Sequence, residues 1–424
     1  MKIELSFNYT LTLPDCKLDS LVSAFKAMIP ALLSAFISSV LQRFADLLLG
    51  NMFNDGLPEV AGGLFACPGC GGRSFMWKTR RSGTVSAQLA TPLGTVCVPQ
   101  MQIQCRKCGS KQYIVRKLLD LPPYAHLSGR TEHQLALCGA LTSFRVGEVF
   151  ARTFGASFRR STVWRCVQKV GRLLDFSVSP GEKGVAQADG TGIPVNGISK
   201  RGRELKVLVQ ENTGKTAMET GSRWRVAGLD LGPYNGSWEK LMAGSREAIK
   251  TFKTFLLLTD GDDSIRRGLG NLKVLYQRCL WHIPHQLKHC LWQDKVARDG
   301  EDWQAIMGGA YQLVALRRHL EDDEKEAFVR AKEKELGGLL DFCRAHGCEK
   351  SAAYLEKAGP DLFTAVRNSL HGRSTSQAER VMRTVNLRVD FGKWSEEGVL
   401  NAMKIRLAFY YNGYDPSRNR LKPK

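Results

Sequence analysis

The stretch Phe252–Asp263, FKTFLLLTDGDD, constrains this chain more than any other. Its apolar run Phe255-Leu256-Leu257-Leu258 stops abruptly at Thr259-Asp260-Gly261. So short and uniform a run predicts a strand covered on both faces, although a short buried helix has the same pattern. Glycine after Asp260 lets the chain turn, which sets the carboxylate at the C-terminal edge of a sheet, where open α/β sheets place ligand sites. A second stretch, Gly184–Thr191 (GVAQADGT), ends the same way at Asp189-Gly190. A third acid, Glu379, lies in Ser374–Arg380 (STSQAER), at the start of a helical pattern. Singly, each Asp-Gly reads as a turn; together, Asp189, Asp260 and Glu379 predict one metal site. Asp262 and Asp263 compete with Asp260, which is preferred because the apolar run ends there and its neighbours can cap the next helix.

Hard carboxylate oxygens suit Mg2+ or Mn2+ rather than zinc. Two such ions about 3.5–4 Å apart are the apparatus of in-line phosphodiester displacement, one activating water or a 3′-hydroxyl and the other stabilising the leaving oxygen. The surrounding pattern alternates strand and helix. After the Asp189 strand come Glu204–Glu211 and Arg223–Leu231, with Lys200–Arg203 as a hairpin turn, then a helix over Ser237–Phe252. The Asp260 strand, a helix over Ser264–Leu272 and a strand at Lys273–Tyr276 follow. Three strands in hairpin sequence and two more separated by a helix is the ribonuclease H order, which other α/β proteins share in outline. Residues 292–368 read as all helix. Within them Glu321–Glu335 alternates charge, with Glu321/Lys325 and Glu326/Arg330 spaced to pair on a solvated face. Two last helices are predicted at Ala378–Val389 and Ser395–Tyr411, before a basic tail.

Upstream, Cys67-Pro68-Gly69-Cys70 is answered 34 residues later by Cys105-Arg106-Lys107-Cys108, across β-prone stretches bounded by Gly and Pro. Each CxxC turn offers two thiolates, and four complete a tetrahedral Zn2+ site with no position open to substrate, hence structural zinc. A redox CxxC needs a βαβ context that is missing here. Cys97 is left over and is expected to pack. Arg73, Lys78, Arg80, Arg81, Arg106, Lys107 and Lys111 around the site could touch phosphate or be a solvated face. Residues 128–175 carry a helix-turn-helix pattern: Thr131–Gly139, Arg145–Phe154, a turn at Gly155-Ala156-Ser157, and a third helix with Ser161 as N-cap. Val163, Cys166, Val167 and Val170 share one face of that helix. Arg159, Arg160, Thr162, Arg165 and Lys169 fall largely on the other, a polar, basic face free to enter a major groove, although such helix pairs also serve as plain packing modules.

With 61 Lys and Arg against 41 acids the net charge is +20, which points to a polyanionic partner, nucleic acid first and an anionic membrane second. Met1–Leu5 shows no secretory signal. Ala27–Gln42 is apolar but only 16 residues long and carries Pro30, so it reads as a core or dimerisation helix rather than a span. The 12 cysteines are too few and too uneven for a disulfide scaffold, which suggests a reducing compartment.

Asp189-Gly190-Thr191, Thr259-Asp260-Gly261, Arg278-Cys279-Leu280-Trp281-His282 and Ser376-Gln377-Ala378-Glu379-Arg380 together resemble the DDE-type bacterial insertion-sequence transposases of the Mutator-like group. Cys279 and His282 match the Cys-x2-His signature that follows the second Asp there, and the 118 residues between Asp260 and Glu379 suit a helical insertion. The resemblance covers residues 183–412. It implies an α/β chain with a ribonuclease H-like catalytic domain in two parts, 183–291 and 368–412, around a helical insertion at 292–367. Before these would lie an N-terminal helical element (1–58), a zinc ribbon (59–120) and a helix-turn-helix domain (126–178); 413–424 would be the basic tail. The implied activity is cutting transposon ends and joining their 3′-hydroxyls to target DNA, with Mg2+ or Mn2+ on Asp189, Asp260 and Glu379. The partners would be double-stranded DNA and a second copy of the chain, in the cytoplasm at the nucleoid and without a membrane. The alternatives are a related metal-dependent nuclease and a zinc-containing DNA-binding regulator descended from a transposase. His282, His285 and His289 with Cys279 and Cys290 could hold a second metal or form a packed element beside the site. Trp281 and Trp292 could stack on an unpaired base, but the simpler expectation is that both are buried in the core.

Overall fold

The computed structural model describes residues 10, 17–54, 66–78, 86–122, 124–153, 158–198, 202–212, 222–234, 237–316, 320–370, 374–390 and 392–416. The expected strand near Ile3, the linker at 55–63, the turn at Gly155–Ser157, residues 199–201 of the hairpin turn and the tail from Ser417 lie outside them. The chain forms two compact units, residues 1–170 with 416–424, and 171–415.

The first unit opens with helix α1, Leu18–Asn54, 37 residues long. It is longer than the 16-residue element expected, and it runs through Pro30 because a proline removes only one rung while the flanking apolar turns continue. Leu18–Leu47 is therefore long and apolar enough to cross a membrane, by length and composition only. Strand β1 (Phe75–Trp77) comes next, and then the hairpin of β2 (Ser86–Thr91) and β3 (Gly94–Pro99) on which the helix lies. Ser38 Oγ accepts from Cys97 N at 2.9 Å, and Gly94, at φ +117°, lets the hairpin meet Pro30, whose carbonyl oxygen would lie 3.0 Å from any Cβ there. Cys97 itself is exposed rather than packed, since it points outward between Val96 and Val98 of an alternating strand. A second sheet has the order β1, β4 (Gln102–Cys105), β5 (Lys111–Tyr113), all antiparallel.

Three helices follow: α3 (Gly129–Leu141), after a one-turn α2 (Ile114–Leu118), then α4 (Phe144–Thr153) and α5 (Arg160–Leu173). Ser128 caps α3 by accepting from Thr131 N. Ser161 is not a cap: α5 starts one residue earlier, where Arg160 N donates to Glu148 Oε2 at 3.1 Å and Glu148 replaces the expected cap. Val163, Cys166, Val167 and Val170 are buried as one stripe, whereas Val146, Val149 and Phe150 of α4 are exposed. Gly139 and Gly147 let α3 and α4 close over Val163, whose methyl carbons would lie 2.7 and 2.9 Å from an added Cβ.

The second unit is built on five strands: β6 (Lys183–Gly192), β7 (Glu204–Glu211), β8 (Trp224–Gly232), β9 (Thr254–Thr259) and β10 (Leu275–Arg278). Their spatial order is β10-β9-β6-β7-β8, with β6-β7-β8 antiparallel and both β9 and β10 parallel to their neighbours. The fifth strand starts two residues later than its apolar run suggested, because Gln277 and Arg278 pair with Leu258 and Thr259. β9 is buried on both faces. Phe255 and Leu257 meet Met242, Ile249 and Leu269 of helices α6 (Glu239–Ile249) and α7 (Asp263–Leu269), while Leu256 and Leu258 meet Ala365. Beyond β10 come α8 (His282–Gln293), α9 (Glu301–Val314), α10 (Asp322–Ala345), α11 (Glu349–Ala358) and the short α12 (Thr364–Arg367), which share a core running from Leu280 to Val366. Glu321 is the N-cap of α10, in a capping box with Glu324, so Lys325 pairs with Asp322 instead of Glu321. The last helices are α13 (Ser376–Val389) and α14 (Glu396–Tyr411); Asn412, just past α14, clasps the Val226 backbone of β8 through bonds of 2.9 and 2.8 Å.

Candidate metal centres

In the first unit the four predicted thiols converge. Cys67 and Cys108 sulfurs lie 3.3 Å apart, and Cys70 and Cys105 sulfurs 3.6 Å apart. A tetrahedron with Zn–S bonds of about 2.3 Å has edges of about 3.8 Å, so the cluster fits a metal with only slight relaxation. Burial disfavours the thiolate of Cys67, yet the Cys108 thiol and the Gly69 and Cys70 backbone N–H groups point at it and hold it down to about 6. The Cys108 and Lys107 N–H groups likewise lower Cys105. These knuckles exist because Cys67 and Cys105 end at tight turns, with Gly71 and Gly109 at φ +68° and +74°. Phe75, Ile103 and Ile114 pack behind the sulfurs.

In the second unit, Asp189, His282 and Glu379 each bring a ligand atom within 4.8 Å of the other two. The parallel register runs as far as Gln187 with Leu258, and Asp189 and Asp260 each lie two residues beyond that last pair. Asp260 is exposed and lies outside that close group, though its charge reaches Asp189. Unlike the expectation, β6 does not end at Asp189: it stays paired to β7 as far as Gly192, because Gly190, with no side chain, leaves room for the Glu204 carboxylate, which would sit 2.4 Å from a Cβ. What stops at this level is β9, where Gly261 turns at φ +93°. The Arg278 guanidinium fills the space over Gly261, its Nη1 0.6 Å from where a Cβ would be. Asp262, as anticipated, caps α7 through Ser264 N at 2.8 Å.

Burial, reinforced by the charge of Glu379, raises Asp189 to about 8. Glu379 is lowered, chiefly by its hydrogen bond with His282, whose Nε2 is 3.4 Å from Oε1. Burial works against charge on His282, but Cys279 and Glu379 beside it hold it up at about 10. Cys279 is buried and accepts from both the N–H and the hydroxyl of Thr375 at 3.3 Å. The Cys-x2-His pair thus ties the end of β10 to the start of α13 and orients Glu379. Gln187, also buried, does the same from β6: its Oε1 accepts from Gln377 N at 3.0 Å and Ala378 N at 3.1 Å. Gln277 plays the matching part for the helical block, accepting from Ala365 N and donating to Leu362 O. Neither glutamine nor the Glu204–Lys206 pair, with Lys206 wholly buried, was foreseen; the available signal was a polar residue inside an otherwise apolar strand.

Among the described residues, His285, His289 and Cys290 join no group of three metal ligands. Trp281 and Trp292 are exposed by 51% and 69%, which overturns the expectation of core tryptophans: α8 buries Ile283, Leu287 and Leu291 instead, and the indoles fall on its opposite face. Arg159, Arg160 and Arg165 are exposed and Thr162 is half-buried; Lys169 is held by Glu132 at 2.7 Å.

No protein-family model matches the chain, and no curated protein does. Among solved structures it is similar to the Drosophila P element transposase strand transfer complex, at a TM-score of 0.36 and 8% identity over 67% of this chain and 92% of that one.

Proposed function

We propose that this protein is a DNA transposase of the DDE type, cutting transposon ends and joining their 3′-hydroxyls to target DNA through a ribonuclease H-like domain. The observation that carries the reading is that Asp189 and Glu379, 190 positions apart, come within reach of one ion at the end of the sheet where β9 stops, one residue before Asp260. The strand order β10-β9-β6-β7-β8 supports a ribonuclease H-like domain, and the bonds from Gln187 and Cys279 supply a reason for its third acid to arrive on a helix. Asp189, Asp260 and Glu379 would hold Mg2+ or Mn2+; burial, reinforced by the charge of Glu379, raises Asp189, and a bound cation would offset both, which fits such an ion. When bound, the ions supply an activated hydroxyl and stabilisation of the leaving oxygen. His282 donates from Nε2 to Glu379 and holds that carboxylate in place, and Arg278 fills the space over Gly261, next to Asp260. The four-cysteine cluster is read as structural zinc, and Arg159, Arg160, Thr162, Arg165 and Lys169 as contacts to duplex DNA. A homodimer follows from the need to hold two ends together.

The test incubates purified protein with Mg2+ and labelled DNA carrying the element's own ends, comparing wild type with Asp260→Ala and Glu379→Gln. Nicking and joining by wild type, with variants that bind but do neither, supports the reading. Binding by all three without cutting, in Mg2+ and in Mn2+, refutes it in favour of a DNA-binding regulator.

A further inference from the structure

The helix that begins at the acids carries an unused feature on its outer side. Trp281, His285, His289 and Trp292 follow one another at steps of four, four and three, and all four are exposed. Trp281 stacks on His285 with centroids 4.0 Å apart and planes at 26°, and His289 lies over Trp292 at 5.7 Å and 17°. The packing of α8 does not require these rings, because its other face supplies the buried aliphatic contacts. Along the helix the stripe spans about 16 Å, at 1.5 Å per residue. At its acid end Trp281 walls an open cavity of about 810 Å³, whose opposite wall is α13 with Glu379, Arg380, Arg383 and Asn386. Arg380 and Arg383 are exposed, and among the described residues neither is paired to a carboxylate.

Exposed ring faces beside unpaired guanidinium groups are what an unstacked nucleotide requires: a flat surface for the base and a cation for the phosphate. A duplex offers its phosphates but keeps its bases stacked, so rings of this kind gain little from it. We infer that the cavity and the ring stripe form a subsite for unpaired nucleotides, holding a single-stranded segment that leads away from the phosphodiester at Asp189 and Glu379. The indole of Trp281 takes the first base, Arg380 and Arg383 its flanking phosphates, and His285, His289 and Trp292 continue the track. This rests on the proposed strand-transfer reading and adds to it that the substrate's end is opened, not held as intact duplex.

The experiment uses the full chain in EDTA, with fluorescein-labelled 12-nucleotide oligodeoxythymidine and a blunt duplex of equal length, read by anisotropy and by tryptophan quenching. Trp281→Ala and Trp292→Ala are each expected to weaken single-strand binding by about fivefold or more while changing duplex binding less than twofold, with Trp281→Phe restoring most of the loss. Arg380→Ala with Arg383→Ala should flatten the salt dependence of single-strand binding. Unchanged single-strand affinity in both Trp281→Ala and Trp292→Ala, or equal losses on duplex, overturns the inference. Trp292 lies three turns from the acids, so it reports even if Trp281→Ala misfolds. Wild-type cleavage with Mg2+ is measured in parallel. Cleavage without tryptophan-dependent binding defeats the subsite alone; tryptophan-dependent binding without cleavage supports the subsite and defeats the strand-transfer reading.

Discussion

Replacing Gln187 by Met tests the geometry of the acidic site without touching an acid. The side chain is buried and nearly isosteric with Met, so the change removes an acceptor without opening a void. Two N–H groups at the start of α13 lose their partner: that of Ala378, whose residue is fully buried, and that of Gln377, which is half-buried. An orphaned buried donor costs about 1–3 kcal/mol, and a half-solvated one about half as much, giving about 2–4 kcal/mol in all. The chain has two compact units, so a single global unfolding energy is poorly defined and a local measurement is better. Hydrogen exchange over residues 374–390 should show protection falling by roughly 30- to 700-fold, since each 1.4 kcal/mol is tenfold. Glu379 sits one turn into the same helix, and a displacement of about 1 Å at a reacting centre costs on the order of 100-fold in rate. DNA cleavage should therefore fall by about that factor while duplex binding is kept. Exchange unchanged within twofold would refute the capping argument. Lost protection with full cleavage would refute the claim that this cap positions the third acid.

Two further outcomes follow from the metal centres. Wild-type protein should carry one zinc per chain, and Cys105→Ser should lose it and expose the Phe75, Ile103 and Ile114 core; metal analysis and limited proteolysis between residues 66 and 118 check this. In chelator, folded Asp189 titrates near 8 against an ordinary value of 3.8, so the folded state binds the extra proton. That contribution is complete below about 4 and is lost as the pH rises through 8. Asp189→Asn should flatten the decline of the thermal midpoint over this range in EDTA, and an unaltered slope would count against the carboxylate.

The sequence showed what depends on local pattern. The run from Phe255 to Thr259 could be read because four consecutive apolar residues need cover on both faces, and the four thiols because CxxC turns fix their own geometry. It did not show what depends on neighbours across the fold. That β6 continues past Asp189 and that Trp281 faces outward are decided by Glu204 beside Gly190 and by which side of α8 its partners occupy. His282 was visible as a motif, but its place against Glu379 was not, since nothing local says that β10 and α13 are joined through Cys279 and Thr375.

The late arrival of Glu379 has a consequence during synthesis. At about 5–20 residues per second, the ribosome adds Glu379 some 6–24 s after Asp260, and folding domain by domain leaves the first unit formed by then. A chain caught in that interval has its thiol cluster and the strands bearing Asp189 and Asp260, but not the helix that brings the third acid. Under the proposed function, a nascent chain could already hold DNA while lacking the means to cut it, and the enzyme would become competent only once the helix bearing Glu379 has been made and docked.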